Sequence, residues 1–483
     1  MSRSIILRFA AASVFAVGLA SVPDSVRSES AAQSPQPSHK PEDFLAVAPK
    51  ASTLKGKFSL VSLGDLLYSY PMANSKDPKF RKVVELIKSG DLTIANREGV
   101  TFNLKTLPST GYGDGMLWGE ASLARDEKAL GVDMVSLANN HATDWGGRAL
   151  LQTKLLHEEA GVVTAGAGRN LDEARRAGIF NSPKGRIALV ATTSTFKANA
   201  GANDAFGSVG ARAGVNILRT RAINLVPPYQ MDALRKLATE RAAPLDPAPM
   251  PGAPVVKFGG EIYRLADKPG LTYQMDLYDL AGILKSVREA KNVADLVVFY
   301  IHTHQTATGD DDDTPAPPDF LIKLAHDTID AGADVFMGGG LHTMRGIEIY
   351  KGKPIFYGLG SFFLNGEIDV LQETAFHEFP DVETGLPPKP KPKERSVRQG
   401  GNPPSWYDGV VAITDFDNGH ATAVRLYPLS LGNTNDYTRS RRGIPHLADR
   451  ENARRILTDL QRDSAQFGTK IAIEGSLGVI RLP

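Results

Sequence analysis

The chain has 483 residues, 42% of them hydrophobic, which is enough to bury a sizeable core and excludes wholesale disorder. A formal net charge of +1 leaves no basic excess to offset phosphates, so nucleic acid is excluded as the main partner. There is no cysteine, which rules out disulfides, thiolate metal sites, cysteine nucleophiles and a cysteine-linked lipid anchor. Any bound metal must then take His, Asp, Glu, Asn or water as ligands.

In chain order, Arg3 and Arg8 precede an apolar run, Phe9–Ala20, that passes into Ser- and Pro-containing sequence. This is the layout of a secretory signal peptide, assigned to residues 1–30, with Gly18-Leu19-Ala20 a fitting cleavage site. It predicts an exported protein, periplasmic or extracellular, with an uncleaved N-terminal membrane anchor as the alternative. Residues 31–55 read as a flexible leader and residues 56–483 as one domain.

Within the domain, short apolar runs alternate with helical spacing. Strands are expected at Phe58–Leu63, Leu92–Ala95, Val132–Ala138, Arg186–Thr193, Asp295–His302, Asp334–Met337 and Pro354–Tyr357. Helices are expected at Pro78–Ser89, Arg148–Ala160 and Pro318–Ala331. The alternation predicts an α/β architecture around largely buried sheet. Residues 240–270 and 379–404, both rich in Pro, read as surface insertions. Beyond them, Gly409–Phe416 and Ala421–Leu429 flank Asp417-Asn418-Gly419, a hairpin signal, and Glu451–Phe467 reads as a final helix.

Polar clusters follow five of these strands, the place where functional groups of α/β sheets collect. Asp65, after Gly64, is either a metal ligand or a helix cap. Asn96-Arg97-Glu98 offers a carboxylate to a metal, or forms a turn with a surface ion pair. The segment Ser136–Asp144, SLANNHATD, carries Asn139, Asn140, His141 and Asp144; an amide oxygen can ligate a hard cation, and His141 can bind phosphate or act as general acid. In His302-Thr303-His304 the two imidazoles are two residues apart, so in extended chain they project to one side, as metal ligands must. Gly338-Gly339-Gly340-Leu341-His342 allows close backbone approach and brings a further imidazole. The acidic run Asp310–Asp313 reads as a solvated loop, with a lid over the site as the alternative. Together these groups form an N/O ligand set for one or two divalent ions.

The order of these motifs resembles that of the CapA family, capsule and poly-γ-glutamate synthesis proteins related to metallophosphoesterases. The family pattern runs GD, N-x-E, LANNH followed by D and G, G-A-G-x-N, H-W-G, G-H-H-P-H and Y-S-L-G-N-F. This chain has Gly64-Asp65, Asn96-Arg97-Glu98, LANNHATDWG at 137–146, Gly166-Ala167-Gly168-Arg169-Asn170, His302-Thr303-His304, Gly338 to His342, and Tyr357-Gly358-Leu359-Gly360-Ser361-Phe362. The resemblance spans residues 58–365 and implies a metallophosphoesterase-like sandwich of two sheets flanked by helices. It implies metal ligation by Asp65, Glu98, Asn140, His302 and His342, a phosphate-facing acid at His141 supported by Asp144, and substrate contact at Asn96 and Asn139. The chain departs from the pattern at Gly340, where the first His of H-P-H is expected, and at Ser361, where Asn is. His304, in the place of the Gly of H-W-G, is expected to supply the missing ligand.

Two functions compete. One is a metal-dependent hydrolase, using manganese, iron or zinc, that acts on a phosphoester or an amide-linked anionic polymer. The other is a non-catalytic accessory protein that binds polymer or a membrane-associated synthesis machinery. A periplasmic solute-binding protein would not need this ligand set.

Overall fold

The computed structural model describes residues 39–103, 105, 117–240, 246–247, 255–309, 314–365, 403–432 and 442–482. The expected signal peptide, residues 310–313 and most of the 379–404 segment lie outside the described residues. Among the described residues no helix is long and apolar enough to cross a membrane.

Two sheets dominate. In chain order their strands are β1 (Lys57–Tyr68), β2 (Leu92–Arg97), β3 (Met134–Ser136), β4 (Val163–Ala165), β5 (Gly178–Ser182), β6 (Gly185–Thr193), β7 (Leu296–Thr303) and β8 (Val335–Gly340). There follow β9 (Ile347–Tyr350), β10 (Lys353–Phe356), β11 (Ser361–Asn365), β12 (Asp408–Asp417), β13 (His420–Ser430), β14 (Ala472–Glu474) and β15 (Leu477–Arg481). The first sheet runs β14-β15-β13-β12-β1-β2-β3-β4, and β11 pairs with the far end of β1. The second runs β9-β10-β8-β7-β6-β5. β1, β2, β3 and β4 are mutually parallel, as are β6, β7 and β8, so both sheets deliver their carboxyl ends as a set.

The period-2 pattern of β7 shows how the layers form. Leu296, Val298 and Tyr300 face the core between the sheets, whereas Val297, Phe299 and Ile301 face a second core. That second core is closed by α3 (Leu277–Val293) and α4 (Asp319–Ala331), through Ile283, Leu284, Val287, Leu321 and Leu324. On the first sheet, α2 (Pro78–Ile87) buries Phe80, Val83, Val84 and Ile87 and α5 (Arg450–Ser464) buries Ile456, Leu457 and Leu460. Each such side chain contributes about 1.5–3 kcal/mol. α2 starts where expected: Pro78 sits in its first turn and the Asp77 side chain accepts from the Lys79 N–H at 2.8 Å. The architecture is the two-sheet sandwich flanked by helices that the motif order implies.

Two expectations change in detail. The leader expected to run to residue 55 is already packed from α1 (Pro41–Leu45), whose Phe44 and Leu45 lean on the second core. Arg288 fixes it by donating to the carbonyls of Phe44 and of Val47, the latter at 2.7 Å. The 240–270 insertion is in part a hairpin: Val255–Phe258 pairs with Glu261–Leu265 across Gly259-Gly260, both at positive φ. This hairpin joins a small five-stranded sheet with Thr220–Val226 and Gly270–Met275. The Pro- and Ala-rich composition upstream obscured its alternation. The β12–β13 hairpin turns, as expected, through Asn418-Gly419, with φ of 47° and 81°.

Candidate functional site

The site lies where the carboxyl ends of the two parallel sets meet. From the first sheet come Asp65 on β1, Asn96 and Glu98 at the end of β2, and the Asn139–Asp144 loop after β3. From the second come His302 on β7, His304 just beyond it, and His342 after β8.

Asp65 is placed by a bulge. The register of β1 against β2 shifts between Ser62 and Asp65, and a Cβ on Gly64 would stand 1.8 Å from the Gly360 carbonyl oxygen. Only glycine permits that approach, which joins the first and last motifs into one contact. The Asp65 carboxylate accepts from Asn96 Nδ2 at 2.8 Å, Tyr300 OH at 3.1 Å and the Gly340 N–H at 3.0 Å. Burial works against its charge, but neighbouring His342, His302 and Asn96 outweigh burial and hold the carboxyl well below the usual carboxylate range. Burial, with the charges of Asp65 and Glu98, keeps the Tyr300 hydroxyl protonated as a donor.

Glu98 is the opposite case. It is 1% exposed, and neither carboxylate oxygen has a hydrogen-bond partner. His302 Nε2 and His141 Nε2 stand 3.8 and 3.9 Å from its Oε1. Burial and the charges of Asp65 and Asp144 push its carboxyl well up, against the pull of Arg97. Burial also lowers His302 well below the ordinary histidine value, against the pull of Asp65, so its ring is neutral and offers one ring nitrogen as a Lewis base. Buried acceptors without donors, next to neutral imidazoles, fit a cation.

The candidate ligands converge as two trios that share Glu98: Asp65, Glu98 and His302, and Glu98, His304 and His342. Within each trio one ligand atom from every residue lies within 4.8 Å of the others. His302 Nε2 and His304 Nε2 are 3.3 Å apart. His342 is held in the left-handed region at φ 63°, with Ser361 Oγ 3.3 Å from its Nδ1 and Trp406 edge-on at 4.7 Å. Asn140 offers a buried amide oxygen with no hydrogen-bond partner.

The departure at Gly340 has a steric basis. A Cβ there would fall 2.8 Å from the Thr303 backbone nitrogen and oxygen, at φ 110°. One at Gly339 would fall 2.3 Å from Tyr300 OH. β8 thus runs too close to β7 for an imidazole at either position, while His304 reaches the second trio from the neighbouring strand.

The remaining expected residues sort into two kinds. Asn96 and Asn139, expected to contact substrate, are fully buried with amides turned inward: Asn139 Nδ2 donates to Arg97 O at 2.8 Å and to Asn96 Oδ1 at 3.3 Å. His141 and Asp144 form a pair, Nδ1 to Oδ2 at 2.8 Å, which turns His141 Nε2 toward Glu98. Asp144 is further held by the Leu117 N–H at 2.7 Å and by Lys197 Nζ at 2.5 Å.

Three contributors escape the sequence reading: Tyr300, Lys197 and Trp406. Tyr300 was within reach of it, since it stands two residues before His302 and therefore on the same face of β7. Lys197 comes from a loop and Trp406 from the short 3-10 helix Pro404–Tyr407, both without a local signal.

The fold is thus a two-sheet α/β sandwich that gathers a His–carboxylate cluster where its parallel strands end. The chain belongs to the bacterial capsule synthesis protein family, PGA_cap, whose model matches residues 59–366. It is 33% identical over 449 residues to an uncharacterized protein, y4sH, of Sinorhizobium fredii, covering 89% of this chain and 95% of that one. It is 29% identical over 233 residues to a "probable polyglutamine synthesis accessory protein" of Mycobacterium tuberculosis, covering 48% and 45% of the two chains. It is 24% identical over 324 residues to the capsule biosynthesis protein CapA of Bacillus anthracis, covering 66% and 62%.

Proposed function

We propose that this chain is an exported protein of capsule or exopolymer synthesis or processing, of the poly-γ-glutamate type, carrying a metal-dependent hydrolase-like site. The observation that carries this reading is Glu98: a buried carboxylate without a hydrogen bond, shared by two trios of N/O ligands. Asp65, Glu98, Asn140 and His302, with His304 and His342, would hold one or two divalent ions, manganese, iron or zinc. A metal so held supplies Lewis acidity and lowers the pKa of a bound water.

The chain's own residues supply orientation and proton transfer. Asn96, Tyr300 and the Gly340 N–H fix the Asp65 carboxylate in one rotamer. Asp144 accepts at His141 Nδ1 and so presents Nε2 to the cluster, where it can hand a proton to a leaving group. Lys197 Nζ, 2.5 Å from Asp144 Oδ1, holds that carboxylate in place and so preserves the orientation.

The test is metal content of purified protein, followed by turnover of bis(p-nitrophenyl) phosphate with added manganese and with Glu98→Gln. Bound metal and turnover that Glu98→Gln removes support the hydrolase. A second reading, a non-catalytic accessory protein that binds polymer or a membrane-associated synthesis machinery, is favoured by Gly340 in place of an imidazole. Metal without turnover supports that second reading, and absence of metal overturns the metal site itself.

A further inference from the structure

Arg345 lies three residues beyond His342 and is among the largest fully buried side chains of the molecule, 1% exposed. Among the described residues no carboxylate pairs with it, and its Nε has no hydrogen-bond partner. Burial brings the guanidinium down to about 10, against the pull of Tyr273. A buried cation without a counter-ion costs stability, and an apolar side chain of similar volume in its place is often neutral or better. Folding alone therefore gives no reason for an arginine here, and the reason has to be sought in what the guanidinium holds.

Arg345 Nη2 donates to the Gln305 carbonyl at 2.8 Å, and the Arg345 backbone N–H donates to the Gly358 carbonyl at 3.0 Å. Its stem lies against Gly358, where a Cβ would stand 3.4 Å from Arg345 Cγ. One residue thus ties the loop after β8, which carries His342, to the turn after β7, which carries His304. Hydroxyl groups hold that turn from its other side. The Gln305 side-chain oxygen accepts from Ser194 Oγ at 2.8 Å, Thr195 Oγ1 at 3.2 Å and Thr303 Oγ1 at 2.7 Å. Thr195 Oγ1 in turn accepts from the His304 N–H at 2.8 Å. Between these anchors the His304 and His342 rings meet edge to face, 5.8 Å between centroids. A planar guanidinium fork suits the task, because it is pre-organised where a lysine ammonium on its flexible stem is not.

We infer that Arg345 is a positioning residue for the second trio: its guanidinium, bound to the Gln305 carbonyl, sets the separation of His304 and His342 at which both imidazoles and Glu98 share one ion. The inference rests on the reading of the cluster as a metal site, whereas the placement of the two rings is measurable without metal. The experiment compares full-length Arg345→Met and Arg345→Lys with the unaltered chain. It uses urea unfolding of EDTA-treated protein, cobalt(II) titration against a competing chelator, and imidazole nitrogen NMR of metal-free protein labelled at histidine. Arg345→Met is expected to unfold at an unchanged or higher urea concentration, to bind the first cobalt ion as before and to bind the second at least tenfold more weakly. Arg345→Lys keeps the charge and a donor, so its second-ion affinity should fall between the two; it decides the matter should Arg345→Met fail to fold. In the metal-free variants the His304 and His342 signals should shift or split, while those of His157, whose ring bonds Thr153 and Glu127, stay in place. A folded variant with the second-ion affinity of the unaltered chain overturns the inference, as does a lowered urea midpoint with equal loss of both ions, or unmoved His304 and His342 signals. An unaltered chain that binds fewer than two cobalt ions overturns instead the reading of a separate ion at the second trio, and the imidazole signals then decide by themselves whether Arg345 places the two rings.

Discussion

Asp65 and Glu98 are two carboxylates in one buried site, and the chain treats them in opposite ways. The Asp65 carboxylate receives three hydrogen bonds and is held ionised; Glu98 receives none and is pushed toward its neutral form. The first arrangement is complete within the chain. The second leaves a buried acceptor without a donor, which under the proposed reading a cation would complete.

The sharpest way to break this comparison is to neutralise each carboxylate in turn. Asp65→Asn is expected to cost about 2–4 kcal/mol of folding stability in metal-free protein, because bonds to a charged acceptor are lost. Glu98→Gln is expected to cost none, while lowering affinity for a divalent ion at least a hundredfold. Urea unfolding and competitive metal titration read both, and equal destabilisation by the two changes would collapse the distinction.

Next in size is the pH dependence of the metal-free protein. A carboxyl raised in the folded state holds its proton to higher pH than in the unfolded chain. The stability linked to Glu98 is therefore fully present below the ordinary glutamate value and lost as pH rises through the raised one. Asp65, lowered, acts in the opposite sense and only at acid pH, since its contribution is lost as pH falls through its depressed value. Melting temperature without metal should fall between pH 5.5 and pH 8, and a divalent ion should restore more of it at pH 8. Glu98→Gln should flatten that slope; a slope unchanged by the variant would assign it to other groups.

His304→Ala sharpens the comparison at the second trio. Bound metal per chain should drop while His302-side ligation persists, as counted by plasma emission after dialysis, and unchanged stoichiometry would remove His304 from the site. The smallest effect expected is that of Tyr300→Phe. It removes one of the bonds to Asp65, about 1 kcal/mol, and should leave metal stoichiometry intact.

Much of the fold was legible because its strands are buried and its helices carry ordinary start signals. Pro78 and Asp77 marked α2, and Asn418-Gly419 marked the β12–β13 turn. Legible too was the cluster of strand-end polar residues, because period-2 projection places His302 and His304 together. What stayed hidden was the direction of amides. Nothing local tells that Asn96 and Asn139 turn inward, since their partners, Asp65, Arg97 and each other, are set by strand order. Nor could spacing show that Gly339 and Gly340 are glycines because Tyr300 and Thr303 stand against them. Composition also misled, hiding the Val255–Phe258 hairpin behind a Pro-rich approach and reading the docked α1 as part of a leader.

The contact between Gly64 and Gly360 carries a consequence for timing. Asp65 pairs in register with Ser361, and the first half of β1 pairs with β12, so the earliest site residue is locked by some of the latest strands. Pairing across nearly the whole domain is slow to form and comes after local structure. A partly synthesised chain therefore has its histidines and carboxylates but no pocket, and the cluster is gathered only once the last strands are in place.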